Sequence, residues 1–298
     1  MTTAVELIAA PWNLGLRPRG PGREPDAWRV PRALLDAGLD ARLRPARLVE
    51  LDRPPYDFDA QPATRVRNGV TLREHTLRLA DAVQAALAAS RFPVVLGGDR
   101  SVLLGCLLGA RHDGRCGLVH LDGHDGFRRT PGGPALGDAA GMALALATGR
   151  GELLLTHWPH VGRPLVVDED VVQIGDRQEN ADLPFTRFTA RRIQSTGIAG
   201  LHEQVIAHLD RRGLDRVWLH VGLDVLDGRV PPPVDTPGRP GPPDFTQLAD
   251  LLSSLVGAGR VIGLDLAVHD PDGVRDAETV VDRLASALSP LATVEAHA

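Results

Sequence analysis

The chain has 298 residues, 43% hydrophobic and 24% charged, with a formal net charge of −5. Those values describe an ordinary globular composition and give no electrostatic footprint for nucleic acid or an anionic membrane. All 33 basic residues are arginine, so Schiff-base chemistry, pyridoxal phosphate attachment and a P-loop lysine are excluded.

No apolar run approaches the ~20 residues that span a bilayer. The first residues lack the basic start and apolar segment of a signal peptide, and the expected location is the cytoplasm. Cys106 and Cys116 form neither a zinc-ribbon spacing nor a Cys-x-x-Cys pair.

In chain order, Val5–Ala10 reads as a strand stopped by Pro11, and Asp26 as the cap of a helix through Leu35. A short strand at Leu48–Leu51 precedes a long amphipathic helix over Val70–Ala89, with Leu72, Leu79, Val83 and Leu87 at helical spacing. The buried strand Phe92–Leu96 ends in Gly97-Gly98-Asp99-Arg100-Ser101, before a helix carrying Leu103, Leu104, Leu107 and Leu108. Further strands are expected at 117–121, 171–175, 217–221 and 260–266, and further helices at 138–148, 200–211, 244–256 and 277–288. Strands alternating with helices predict an α/β fold, one domain of three layers (α/β/α) around a central, mostly parallel sheet.

Most of the chemistry is expected where strands end. Leu118-Val119-His120-Leu121 runs into Asp122-Gly123-His124-Asp125-Gly126. Asp122 and His124, two apart on an extended chain, point the same way and can reach one cation; a polar turn that caps the next helix is the plainer alternative. Asp99-Arg100, Asp176, Asp224 to Asp227 and His269-Asp270 stand at other strand ends. In a parallel sheet such ends share one edge, where ligand crevices form. A carboxylate-rich crevice with an imidazole is suited to a cation.

These motifs resemble those of the arginase/ureohydrolase family nearly end to end. The family pattern G-G-D-H-S matches Gly97-Gly98-Asp99-Arg100-Ser101, and D-A-H-x-D matches Asp122-Gly123-His124-Asp125-Gly126. S-x-D-x-D-x-x-D-P matches His220 to Gly228, and D-L-x-E-x-N-P matches Asp265 to Pro271. The resemblance implies the arginase-like fold, a small-molecule substrate, and a homo-oligomer, trimer or hexamer. It also implies metal-dependent hydrolysis of a non-peptide C–N bond in an amide, amidine or guanidine-derived molecule.

Carried over position by position, the family's two-manganese centre keeps Asp122, His124 and Asp224 as ligands. Arg100 replaces a ligand histidine, and Gly126 and Gly222 replace ligand aspartates. Ala140 replaces a proton-shuttling histidine, and Val268 the glutamate that holds a guanidinium, so arginine itself is not the expected substrate. What survives resembles the single-zinc site of the deacetylase-like branch. The expectation is therefore one divalent ion, manganese or zinc, held by Asp122, His124 and Asp224, where three ligands with an open position suit a water-activating metal. The alternative is a metal-free, catalytically inactive binding or assembly protein.

Arg100 is a candidate metal surrogate, substrate-carboxylate anchor or ion-pair partner of Asp122 or Asp224. Asp138 falls where relatives bind the substrate's amino-acid end, unless it caps a helix. His269 is the candidate general base. Asp125 reaches the site only if the backbone shifts it inward, since adjacent residues on an extended segment point apart. His120 and His220 alternate with apolar neighbours, as packed core residues do.

Overall fold

The computed structural model describes residues 4–128, 135–177, 182–226, 245–268 and 277–291. Their strands form one eight-stranded sheet: β1 (Val5–Ala10), β2 (Arg47–Glu50), β3 (Phe92–Gly97), β4 (Gly117–Leu121), β5 (Val171–Ile174), β6 (Thr186–Phe188), β7 (Val217–Gly222) and β8 (Val261–Ala267). The order is β2-β1-β3-β8-β7-β4-β5-β6, and every pairing is parallel.

Parallel strands need crossovers, and helices covering both faces supply the burial such a sheet requires. On one face, Leu96, Val119, Val172, Leu219 and Leu264 pack with residues of α1 (Val30–Asp36), α7 (Ala190–Arg212), α8 (Phe245–Gly257) and α9 (Ala277–Ala287). On the other, Ile8, Val95, Leu118, Val171 and Trp218 pack with residues of α3 (Gly69–Ala88), α4 (Val102–Arg111) and α5 (Ala143–Ala147). The short α2 (Leu39–Leu43) and α6 (Leu153–Thr156) complete the described helices.

The expected strands and long helices are present, with local differences. β6 is a three-residue edge strand, too short to leave a periodic pattern. The segment expected as one helix over 138–148 opens as a 3-10 turn, Ala139–Met142, before α5. α7 starts ten residues earlier than its apolar spacing indicates and kinks at Gly197, whose φ is 70°.

Between β3 and β4 the chain skips two places in the sheet, and the order later reverses as β7 and β8 fill them. The crevice of an open sheet forms at the carboxyl ends beside such a switch. Two glycines shape it. A Cβ on Gly98 would lie 1.9 Å from the Trp12 carbonyl oxygen, so only glycine lets the β3–α4 turn pass the loop after β1. A Cβ on Gly263 would lie 2.5 Å from Trp218 Cζ3, so the bare backbone of β8 gives the indole of β7 its seat.

Gly98→Ala should therefore cost more than about 3 kcal/mol, beyond ordinary overpacking. Gly213→Ala, at the C-cap of α7 with φ 62° and open space around the added methyl, should cost only the left-handed strain of about 1–2 kcal/mol. Urea denaturation of the two variants measures the difference; equal losses would contradict the close approach at Gly98.

Candidate functional site

The turn after β3 is tied down from within. The buried Asp99 carboxylate accepts from Gly15 N–H (2.9 Å) and Ser101 N–H (2.8 Å). Burial raises the pKa of Asp99 against the lowering effect of those hydrogen bonds. Held this way, the next residue, Arg100, is buried with 6% exposure.

The Arg100 guanidinium meets the end of β4. Its Nε donates to Asp122 Oδ2 at 2.5 Å, and its Nη2 lies 2.9 Å from His124 Nδ1. A guanidinium has no acceptor, so His124 Nδ1 points its lone pair at Arg100. Asp122 is fully buried, and its Oδ1 accepts the His124 backbone N–H at 2.7 Å. Burial opposes ionisation of this carboxyl, but the Arg100 charge and the hydrogen bonds around it hold its pKa well below the usual carboxylate range. Gln173 Nε2 donates to the carbonyl oxygens of Asp122 (3.3 Å) and His124 (3.2 Å), fixing the turn from β5.

Beneath this pair runs a polar row that sequence reasoning did not assemble. The strand registers align Asp265 of β8 with His220 of β7, His220 with His120 of β4, and His120 with Gln173 of β5. All four side chains are fully buried. Asp265 accepts from Trp218 Nε1 at 2.7 Å and pairs with His220 Nδ1 at 2.6 Å. His220 stacks on His120 with centroids 4.5 Å apart. The far nitrogen of His220, Nε2, lies 3.6 Å from Asp122 Oδ2. His120 and His220 read separately as core residues, and Asp265 as the start of the last motif; the visible signal is a polar residue near the end of each of four apolar strands.

The two imidazoles differ electrostatically. Burial disfavours a proton on His220, but Asp265 and Asp122 overcome it and raise the pKa to about 9. Burial, then the charge of His220, pushes His120 down to about 3. The stacked pair thus holds one proton at neutral pH.

The other expected site residues are placed as follows. Asp224 lies in the 3-10 turn Leu223–Leu226 that follows β7, its side chain outside the described residues, as is all of His269. Asp125 is partly exposed and accepts the Phe127 N–H at 3.0 Å, closing its own turn. Asp138 stands at the N-cap of the turn Ala139–Met142 but makes no capping bond. It instead accepts from Arg17 Nη2 at 2.6 Å. Ala140 and Val268 are buried, with the Val268 N–H donated to the Gly98 carbonyl oxygen at 2.8 Å. Asp176 is buried and ion-paired with Arg187.

The histidine pair predicts a pH dependence in chelator-treated protein. His220, raised from 6.5 to about 9, contributes stability that is complete below 6.5 and lost as pH rises through about 9. His120, lowered from 6.5 to about 3, acts oppositely: the unfolded chain binds a proton the folded chain refuses, so stability falls as pH drops from 6.5 towards 3. From this pair, stability peaks near pH 6.5, and His220→Gln should flatten the alkaline limb of a urea-stability profile. An unchanged alkaline limb would show that His220 does not carry the proton.

A model of the arginase family matches residues 4–288. The chain is 32% identical over 257 residues to an arginase of Bacillus caldovelox, covering 78% of this chain and 80% of the relative. It is 32% identical over 253 residues to an arginase of Brevibacillus brevis, covering 80% of each. The solved structure of Bacillus caldovelox arginase superposes with a TM-score of 0.77 at 26% identity, over 99% of this chain and 100% of that one. Fold, motif order and sequence similarity agree: this chain belongs to the arginase family.

Proposed function

We propose that this chain is a non-hydrolytic member of its family, a binding or assembly subunit in which the Arg100 guanidinium has taken the place of a metal ion. The observation that carries this reading is the double contact of Arg100 with Asp122 (2.5 Å) and His124 (2.9 Å). Those are the two retained ligand positions whose side chains are described. A divalent ion bridging Asp122 and His124 needs the His124 Nδ1 lone pair that Arg100 engages, and a guanidinium cannot step aside by losing its proton. The residues present therefore do not fit the family's two-metal centre: position 100 supplies a cation, while Gly126 and Gly222 supply no carboxylate.

The surroundings support the same reading. Val268, buried where relatives place a glutamate, offers a guanidinium substrate no partner, and Arg100 repels one. Gly126 has φ 60°, so an aspartate restored there would be strained. An arginine beside Asp122 helps to balance a buried carboxylate whose charge costs several kcal/mol without close partners. The crevice then keeps its shape without a metal, and the family's oligomer, a trimer or hexamer, is the assembly this subunit would join.

The second reading is hydrolysis through one manganese or zinc on Asp122, His124 and Asp224, favoured by similarity to proteins named arginase. There the ion would supply an activated water, while this chain's Asp122 and His124 would have to turn from Arg100. Assays of L-arginine and of smaller guanidino and amidino compounds, with manganese or zinc supplied, separate the two. The expected result is no turnover above the uncatalysed rate; turnover abolished by a chelator and by Asp122→Asn would overturn the proposal.

Arg100→Met in metal-free protein should cost about 3–5 kcal/mol, the loss expected when one partner of a buried ion pair is removed. Urea denaturation reads this directly. A loss below about 1 kcal/mol, the value of a surface pair, would mean that the guanidinium is not what balances Asp122.

A further inference from the structure

The polar row beneath Arg100 contains more buried polar atoms than it satisfies. His120 Nδ1 and Nε2, His220 Nε2 and Gln173 Oε1 are all buried with no hydrogen-bond partner. They come from three adjacent strands in register. A cluster of orphaned donors and acceptors in one fully buried place calls for an unseen partner, either water or an ion.

We propose that His120, His220 and Asp122 form a buried zinc-class metal site that shares only Asp122 with the family's ligand set, with Gln173 Oε1 as the candidate fourth ligand. Ligand atoms of the three residues all lie within 4.8 Å of one another. The His220 Nε2 to Asp122 Oδ2 separation of 3.6 Å is too long for a hydrogen bond. It is close to the spacing of about 3.4 Å between two donors on one tetrahedral zinc with bonds of 2.0–2.2 Å. The two rings are stacked at 17°, so coordination would require His120 to tilt out of the stack and turn a ring nitrogen toward the ion.

The surroundings of His220 are those of a metal ligand. Its Nδ1 pairs with the Asp265 carboxylate at 2.6 Å, and Asp265 is itself held by Trp218 Nε1. That arrangement fixes the ring and leaves Nε2 as the coordinating atom, the usual support of a zinc-bound histidine. His120 is aimed at ground the family centre has given up: its Nε2 lies 3.9 Å from where a Cβ on Gly126 would stand. A glycine at the old carboxylate position thus faces an imidazole at the new one. Every ligand side chain is fully buried, so the ion would cross-link β4 and β7, with no open position for substrate. The proposal does not depend on whether the chain is a hydrolase.

The test is zinc content by mass spectrometry of untagged protein, loaded with zinc and dialysed, beside His120→Gln, His220→Gln and His124→Ala. The expected result is about one tightly held zinc per chain, lost in the first two variants and kept in His124→Ala. Pulsed EPR of the copper-loaded wild-type protein should show two coordinated imidazoles, a signature absent from His120→Gln. Absence of retained zinc in folded wild-type protein would overturn the site and leave water as the partner of the orphaned atoms. Zinc kept in His120→Gln but lost in His124→Ala would overturn it differently, placing the ion at the family's position and refuting the role proposed for Arg100. Zinc kept in all three variants would overturn it as adventitious surface binding.

Discussion

A carboxylate buried at the end of a central strand is untenable without a positive partner, and the structure around the crevice follows from how Asp122 obtains one. Its carboxyl group is fully buried, with the Arg100 guanidinium on one side and the His220 imidazole on the other. Removing a charge from water costs several kcal/mol even after relaxation, so partners must be close and hydrogen-bonded. The turn anchored by Asp99, the bare backbone at Gly98 and the Gln173 amide beneath the Asp122–His124 turn all hold one side or the other of that contact.

Behind the ion pair, the parallel sheet converts register into electrostatics. Asp265, His220, His120 and Gln173 stand side by side on four neighbouring strands. Negative charge on Asp265 and Asp122 draws a cation to His220, and His220 in turn denies one to its stacked neighbour. The same potential that holds a proton between two carboxylates can hold a metal ion there.

Much of this was legible from residue order alone. Apolar runs such as Phe92–Leu96 and Val217–Val221 identify buried parallel strands, and the chemistry at their ends identifies the shared edge. The pairing of Arg100 with Asp122 is among the readings open to sequence, because an arginine just past Gly97-Gly98-Asp99 at one strand end can face an aspartate ending another. The polar row was not legible: it depends on β8 and β7 inserting between β3 and β4, which no local pattern encodes. His120 and His220 read in sequence as packed core residues. They are core residues in burial, but their neighbours are each other, Asp265 and Asp122. Edge strand β6 was missed because three residues carry too little periodicity, and Asp224 and His269 contribute no described side chain to the comparison.

The most direct measurement is anomalous diffraction at the manganese edge from crystals grown with excess manganese. If Arg100 holds the cation's place, electron density will show its guanidinium on Asp122 and His124, with no anomalous peak between those side chains. A manganese peak bridging Asp122 and His124, with Arg100 swung away, would contradict that assignment and return the chain to the metal-dependent hydrolases of its family.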